Sequence, residues 1–315
     1  MQEYLYSASG RRGTNRSVLK GVSMKHKNVM RLIVCGVVAG AMAAMLALSG
    51  CGGSQALSSN GSSNSSNGGQ QVELQIFAAN SLEKALPEVQ KLYTKSHSNV
   101  TFKDTQFKAS GDLVQQLTAD NSAADVLITA STKTMDKAAD LISSDTRTDM
   151  FTNDLVVTTK KDSDIKITSL EDLKNVKGTI AIGEPNTVPA GKYAIQALKS
   201  AGLVTYDEDA DGKITNIQPQ GITLDYGSDK VGTVANHIAT GDFAAGLVYS
   251  SDIYRYDGIQ SAYVTPSDSH KAIKYPGAVV KTSSNADVAA DFLNVCMTDA
   301  EAQKIFSNYG FELAG

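Results

Sequence analysis

The sequence predicts an α/β protein with mostly parallel sheets. Two observations carry this. Short apolar strand-like runs alternate with helical segments from Val72 to the end of the chain. From Cys51 onward there are 265 residues, enough for one large or two medium domains with their own core. No repeat with a period of about 20–50 residues interrupts this order.

The elements follow in sequence. Val72–Phe77 alternates with period two and reads as a strand; Leu82, Ala85, Leu86, Val89, Leu92 and Tyr93 recur at helical spacing. Thr101-Phe102 reads as a short strand, Asp112–Ala119 as a helix and Ala124–Thr129 as a buried strand. Thr134–Leu141 fits a helix. Leu155–Thr159 and Thr179–Gly183 fit strands. Ala190–Ser200 and Val231–Ala239 are helices closed by Gly202 and Gly241, since glycine past a last turn relieves the left-handed cap. Ala244–Tyr249 is a strand, and Ala286–Cys296 and Ala300–Tyr309 are helices.

The N-terminal part is of another kind. Lys25, Lys27 and Arg31 precede the apolar run 32–47, and Leu48-Ser49-Gly50-Cys51 follows it. A basic flank, a run too short for a comfortable span, and small residues before one cysteine form the layout of a secretory signal. The cysteine stands where a bacterial lipoprotein signal is cut and acylated. Residues 1–50 are therefore read as signal, with Met24 as the expected start, and Cys51 as the lipidated residue that tethers the protein to the outer face of the cytoplasmic membrane. Residues 52–71 are almost all Gly, Ser, Asn and Gln, which cannot offset chain entropy by burial and read as a flexible tether.

Without residues 1–50 the chain has 22 basic and 32 acidic residues, a formal charge of −10. Such a surface is a poor partner for nucleic acid. Of three cysteines, only Cys296 remains beyond the signal and Cys51, so no internal disulfide forms and the core must hold the fold.

Four helix starts carry candidate chemistry. Each follows a strand and a small polar turn: Ala78-Ala79-Asn80-Ser81, Lys108-Ala109-Ser110-Gly111, Gly183 through Gly191, and Asp225 through Val231. First-turn N–H groups lack intrahelical acceptors and add about half a positive charge, so such termini suit anions. Pro189 fits a first helical position. Each serine taken alone is better explained as an N-cap than as a ligand group. Convergence is what makes a site, and in open α/β sheets it occurs beyond the carboxyl ends of the strands. Tyr249 closes one such strand.

These segments resemble the periplasmic molybdate-binding proteins. The resemblance rests on Ala78–Leu82, Ala109–Leu113 with Gln116, Ala124–Ala130, Gly183-Glu184-Pro185 through Val188-Pro189-Ala190-Gly191-Lys192-Tyr193-Ala194, Gly246–Asp252 and Ile305–Phe311, in order over residues 72–315. It implies the two-lobed periplasmic-binding-protein fold (type II), with flanking helices and a hinge. The lobes would be 72–153 with 272–315, and 154–271. It implies a molybdate or tungstate ligand held by the hydroxyls of Ser81, Ser110 and Tyr249 and by the backbone N–H groups of Ala190 and Val231. It also implies delivery to an ABC permease, action as a monomer, and neither catalysis nor a cofactor. Lys192 and Lys230 are expected to face solvent. Asn80 stands where the family usually has Ala, and is expected to add a donor beside the anion.

The stretch between Gly202 and Gly221 is longer and more polar than the family pattern. Asp207, Asp209 and Asp211 with Gly212 match the front half of a calcium loop, but Gln218 stands at the place of the bidentate Glu. The alternative is an acidic solvated turn between two strands. Competing functions are a binding protein for sulfate, phosphate or ferric iron, and a lipid-anchored hydrolase. The hydrolase lacks a G-x-S-x-G turn, and His97, His237 and His270 lie in no recognisable motif with a serine and an acid.

Overall fold

The computed structural model describes residues 70–314, so the signal region and Cys51 lie outside the described residues. Two sheets organise the chain. The first has six strands in the order Glu312–Leu313, Thr148–Asn153, Ile273–Val279, Val126–Ile128, Ile76–Ala79, Gln106–Lys108. The second has five: Thr223–Ser228, Thr179–Gly183, Ala245–Tyr249, Leu155–Lys160, Ile259–Val264. The chain passes from the first sheet to the second through Asp154 alone and returns through residues 265–272.

Strand direction departs from the expectation of mostly parallel sheets. The two sheets contain four parallel and five antiparallel pairings. The parallel pairs are built by strand–helix–strand units. The antiparallel ones involve the strands at the two crossings, where the chain runs directly from sheet to sheet with no helical crossover to restore its direction.

Burial explains the strands. All four residues of Ile76–Ala79 are buried. Phe77 contributes to a smaller core with Leu113, Leu117, Leu127 and Met135, whereas Ile76 and Ala78 join the main core. A strand covered on both faces reads as an apolar run, which is why the alternation from Val72 does not mark one strand. It breaks at Gln75, whose N–H donates to Asp125 Oδ2 at 2.7 Å; Val72–Leu74 instead pairs in parallel with Val100–Phe102. Helix Ala85–Ser96 buries Ala85, Leu86, Val89 and Tyr93, the stripe expected of one face. The helix expected at Thr134–Leu141 is Thr132–Asp136, because the chain then tightens into turns with Ala138 N–H to Met135 O and Leu141 N–H to Ala138 O. Cys296 is free and buried in helix Ala286–Thr298.

Asp207, Asp209 and Asp211 lie on the hairpin Val204–Glu208/Ile214–Pro219. Asp207 accepts from Asn216 Nδ2 at 2.6 Å and Asp209 from the Lys213 N–H at 2.8 Å. Among the described residues no three acidic, histidine or cysteine side chains gather as a metal cluster. These carboxylates are exposed, and two of them tie the turn, as in the acidic solvated turn given as the alternative. Among the same residues no helix is long and apolar enough to cross a membrane.

Candidate functional site

The carboxyl ends of strands from both sheets meet at one small pocket of about 210 Å³, counting the space open to solvent at its mouth. Ser81, Ser110, Ala190, Val231 and Tyr249, far apart in sequence, all line it.

Strand Ile76–Ala79 delivers Ser81 into a short 3₁₀ turn, Asn80–Leu82, and strand Gln106–Lys108 leads to Ser110, first residue of helix Ser110–Ala119. Neither serine is a cap. The cap positions are Ala79 and Ala109, whose extended backbone precedes each turn, and no side chain caps either start. The expectation of Ser81 and Ser110 at N-caps is corrected by one or two residues. Their hydroxyls are thus released from the role that most simply explained them.

Both serines are almost fully buried, and their oxygens already accept or share bonds. Ser110 Oγ accepts from the Ala130 N–H at 3.0 Å; an amide can only donate, so the serine hydrogen remains for another acceptor. Ser81 Oγ lies 2.9 Å from Tyr275 Oη. Tyr249 ends strand Ala245–Tyr249 and is 1 % exposed, and among the described residues its hydroxyl makes no hydrogen bond of good geometry, the Tyr275 phenol lying beside it. Burial, with the phenols of Tyr275 and Tyr193 beside it, raises its pKa well above the ordinary tyrosine value, so it remains an O–H donor. A buried hydroxyl without a partner costs about 1–3 kcal/mol, so this one is held ready for something.

Two helices add amides. Helix Pro189–Ser200 begins on Pro189, which has no N–H, so Ala190 supplies its first donor. Val231 opens helix Val231–Thr240. First-turn amides have no acceptor within their own helix. The cavity therefore presents hydrogen donors, and the only charged residue lining it, Lys108, directs its ammonium to Gln116 Oε1 at 2.8 Å.

The surrounding polar groups bridge the lobes. Asn80 does not donate into the cavity as expected. Its Nδ2 donates to Glu83 Oε2 at 2.8 Å, and its Oδ1 accepts from the Gly232 N–H at 3.1 Å and from Arg255 Nη2 at 3.4 Å. Arg255 is buried against Asp252 at 2.6 Å and reaches Glu83 at 3.0 Å. The Gly111 N–H donates to the Thr187 carbonyl at 3.0 Å. Bonds between first-sheet residues (Asn80, Glu83, Gly111) and second-sheet residues (Gly232, Arg255, Thr187) describe a closed cleft. Lys192 also departs from expectation: its side chain is 17 % exposed and holds Glu208 at 2.9 Å and the Gly212 carbonyl, which pins the acidic hairpin to helix Pro189–Ser200. Lys230 is half-buried and makes no ion pair among the described residues.

Two residues behind the site escaped sequence reasoning. Tyr275 and Asn153 sit on crossing strands, and Tyr275 is 194 positions from the serine it touches. No local pattern marks a contact at that separation; buried polar side chains on strands near a crossing are the only hint.

The fold and this donor-lined cleft are those of a solute-binding protein. Residues 74–312 match the family described as "Bacterial extracellular solute-binding protein", and the chain belongs to that family. Among its relatives is a Bacillus subtilis protein named "Putative ABC transporter substrate-binding lipoprotein YvgL", 33 % identical over 273 residues, covering 86 % of this chain and 95 % of the relative. The molybdate-binding protein ModA of Haemophilus influenzae is 32 % identical over 248 residues, covering 76 % of this chain and 90 % of the relative. The periplasmic molybdate-binding protein of Azotobacter vinelandii has a similar fold, with a TM-score of 0.61 over 77 % of this chain and all of the other, at 18 % identity. The two-lobed fold expected from the sequence is thus the fold of the family, whose members bind solutes for transport rather than transform them.

Proposed function

We propose that this protein captures a tetrahedral oxyanion, molybdate and equally tungstate, outside the cytoplasm and delivers it to an ABC permease. The observation that carries the reading is the buried, unpartnered hydroxyl of Tyr249 sharing one cavity with Ser81 and Ser110. Three hydroxyls and two helix-start amides form a site of donors without a lining acid or an available cation. A dianion stripped of water is costly to bury unless its charge is matched. Donors to an ionised acceptor are worth about 1.5–3 kcal/mol each, so five of them offset that cost without a formal counter-charge.

Such a site favours a fully ionised ligand, because a protonated oxygen would point a hydrogen at a donor. It also measures size, because the donors are fixed to strand ends and helix starts. Molybdate and tungstate fit alike, whereas the smaller sulfate leaves some donors out of reach. The naming of relatives at about one-third identity supports molybdate over the other oxyanions.

The protein acts as a monomer, with Cys51 acylated and the Gly/Ser/Asn-rich segment as tether. Replacing Cys51 with Ser should release it from the membrane fraction. Calorimetric titration with molybdate, tungstate, sulfate and phosphate in competition tests the ligand. Tight binding of the first two and weak binding of the others is expected; preference for sulfate or phosphate, or no binding, would overturn the reading.

A further inference from the structure

We infer that Tyr275 and Asn153 are positioning residues for the bound anion: a hydrogen-bond relay from the interlobe crossing that fixes Ser81 as a donor. This rests on the oxyanion reading of the cavity.

The orientation of the Asn153 carboxamide follows from one atom that can only donate. The Asp154 N–H lies 2.9 Å from Asn153 Oδ1, so that side-chain atom is the oxygen. The same oxygen accepts from Ser250 Oγ at 2.7 Å. Asn153 Nδ2 must then donate, and it meets Ser251 Oγ at 2.9 Å and Tyr275 Oη at 3.4 Å. Tyr275 Oη accepts from Asn153, and the relay assigns the Tyr275 hydrogen to Ser81 Oγ, 2.9 Å away, a contact whose geometry allows either hydroxyl to donate. The Ser81 hydrogen is left for the cavity. The opposite polarity would have Ser81 donate to Tyr275 and turn a lone pair toward a dianion, which is repulsive.

The relay starts where the lobes join. Asn153 is the last residue of strand Thr148–Asn153, and Asp154 alone links that strand to Leu155–Lys160 in the second sheet. Ser250 and Ser251 open helix Ser250–Arg255, directly after Tyr249. The carboxamide of Asn153 is thus oriented by both lobes at once, and the hydroxyl it governs through Tyr275 faces the ligand. Closure geometry and donor direction are parts of one network. Tyr275 is fully buried, which holds its phenol protonated and able to donate.

A cycle of substitutions in the purified protein, read by calorimetric titration with molybdate, tests this. Tyr275→Phe should weaken binding about tenfold, because Ser81 is then free to turn its hydrogen away. In a Ser81→Ala background, Tyr275→Phe should cost nothing further, since the group it directs is gone; in a Ser110→Ala background its effect should multiply fully. Asn153→Leu removes the donor to Tyr275 without adding charge near the dianion, and should weaken binding only when Ser81 is present. If Tyr275→Phe fails to fold, the Asn153→Leu pair decides by the same criterion. Unchanged affinity in Tyr275→Phe, or an equal loss with and without Ser81, would overturn the relay while leaving the ligand assignment intact. A wild-type protein that binds no molybdate or other oxyanion would overturn both.

Discussion

Gly111 and Thr187 face each other across the cleft, the amide of the first 3.0 Å from the carbonyl oxygen of the second. A β-carbon built on Gly111 would stand 2.7 Å from that oxygen and 2.9 Å from the Thr187 α-carbon. Both are backbone atoms, which cannot swing aside. The absence of a side chain at Gly111 is what lets the lobes come together this closely.

Gly111→Ala should therefore separate stability from function. Gly111 is the second residue of helix Ser110–Ala119, and replacing a helical glycine by alanine stabilises by up to about 1 kcal/mol. Closure should be propped open, weakening molybdate binding at least about tenfold, or about 1.4 kcal/mol. Denaturant unfolding and titration of the same sample check the two halves, and small-angle scattering should show less compaction on adding ligand than in the wild type.

Tyr249→Phe and Ser110→Ala should each lower affinity by about 10- to 100-fold, the loss of one charge-assisted hydrogen bond. Among the described residues Tyr249 Oη makes no well-aligned hydrogen bond, so the ligand-free melting temperature of Tyr249→Phe should stay close to wild type. The rise in melting temperature at a given molybdate concentration should shrink in proportion to the lost affinity. A large fall in ligand-free stability would mean the hydroxyl serves the fold.

Alkaline pH should leave binding level and then erode the fold. Tyr249 is raised well above its ordinary value, chiefly by burial, and burial raises Tyr193 to about 12. In the unfolded chain both ionise near pH 10. Above that pH the unfolded state binds fewer protons than the folded one, so stability is fully present below about pH 10 and falls as pH rises toward 12 and beyond. Molybdate affinity should stay constant from pH 7 to about 9.5, because no donor in the cavity titrates there. Phenolate absorbance with denaturant midpoints across pH reads the first effect, and calorimetry the second.

The exposed acid beside Arg255 should matter far less to stability than the arginine itself. Glu83 is 43 % exposed, so Glu83→Gln should change stability by no more than about 1 kcal/mol. Asp252 is fully buried, and Arg255→Ala leaves its carboxylate unpaired, a loss of about 3–5 kcal/mol. Equal effects in urea unfolding would contradict the view that the buried pair is structural and the bond to Glu83 is an adjustable contact between lobes.

Much of this was legible in the chain because strand ends, small polar turns and helix starts are local signals. The four helix starts and the strand end at Tyr249 were marked that way, the resemblance singled out Ser81, Ser110, Ala190 and Val231 within them, and all five residues line one pocket. What escaped was non-local. The cap positions went to alanines, because serine preference at a cap says nothing of a hydroxyl drawn to the Ala130 amide or to Tyr275. Asn80 and Lys192 were placed by their immediate neighbours, whereas Gly232 and Glu208, distant in sequence, decide where their polar ends go. Strand direction at the crossings depends on which sheet the chain enters next, which no run of residues encodes. The aspartates at 207, 209 and 211 matched a spacing, but hairpin geometry set their partners.

The central claim is that uncharged donors from both lobes surround a single dianion. Anomalous scattering from molybdenum in crystals grown with molybdate locates the ion without assumption. The account predicts one site with oxygens about 2.6–3.0 Å from the hydroxyls of Ser81, Ser110 and Tyr249 and from the amides of Ala190 and Val231. An ion bound elsewhere, or neutralised by a lysine or arginine in direct contact, would contradict it.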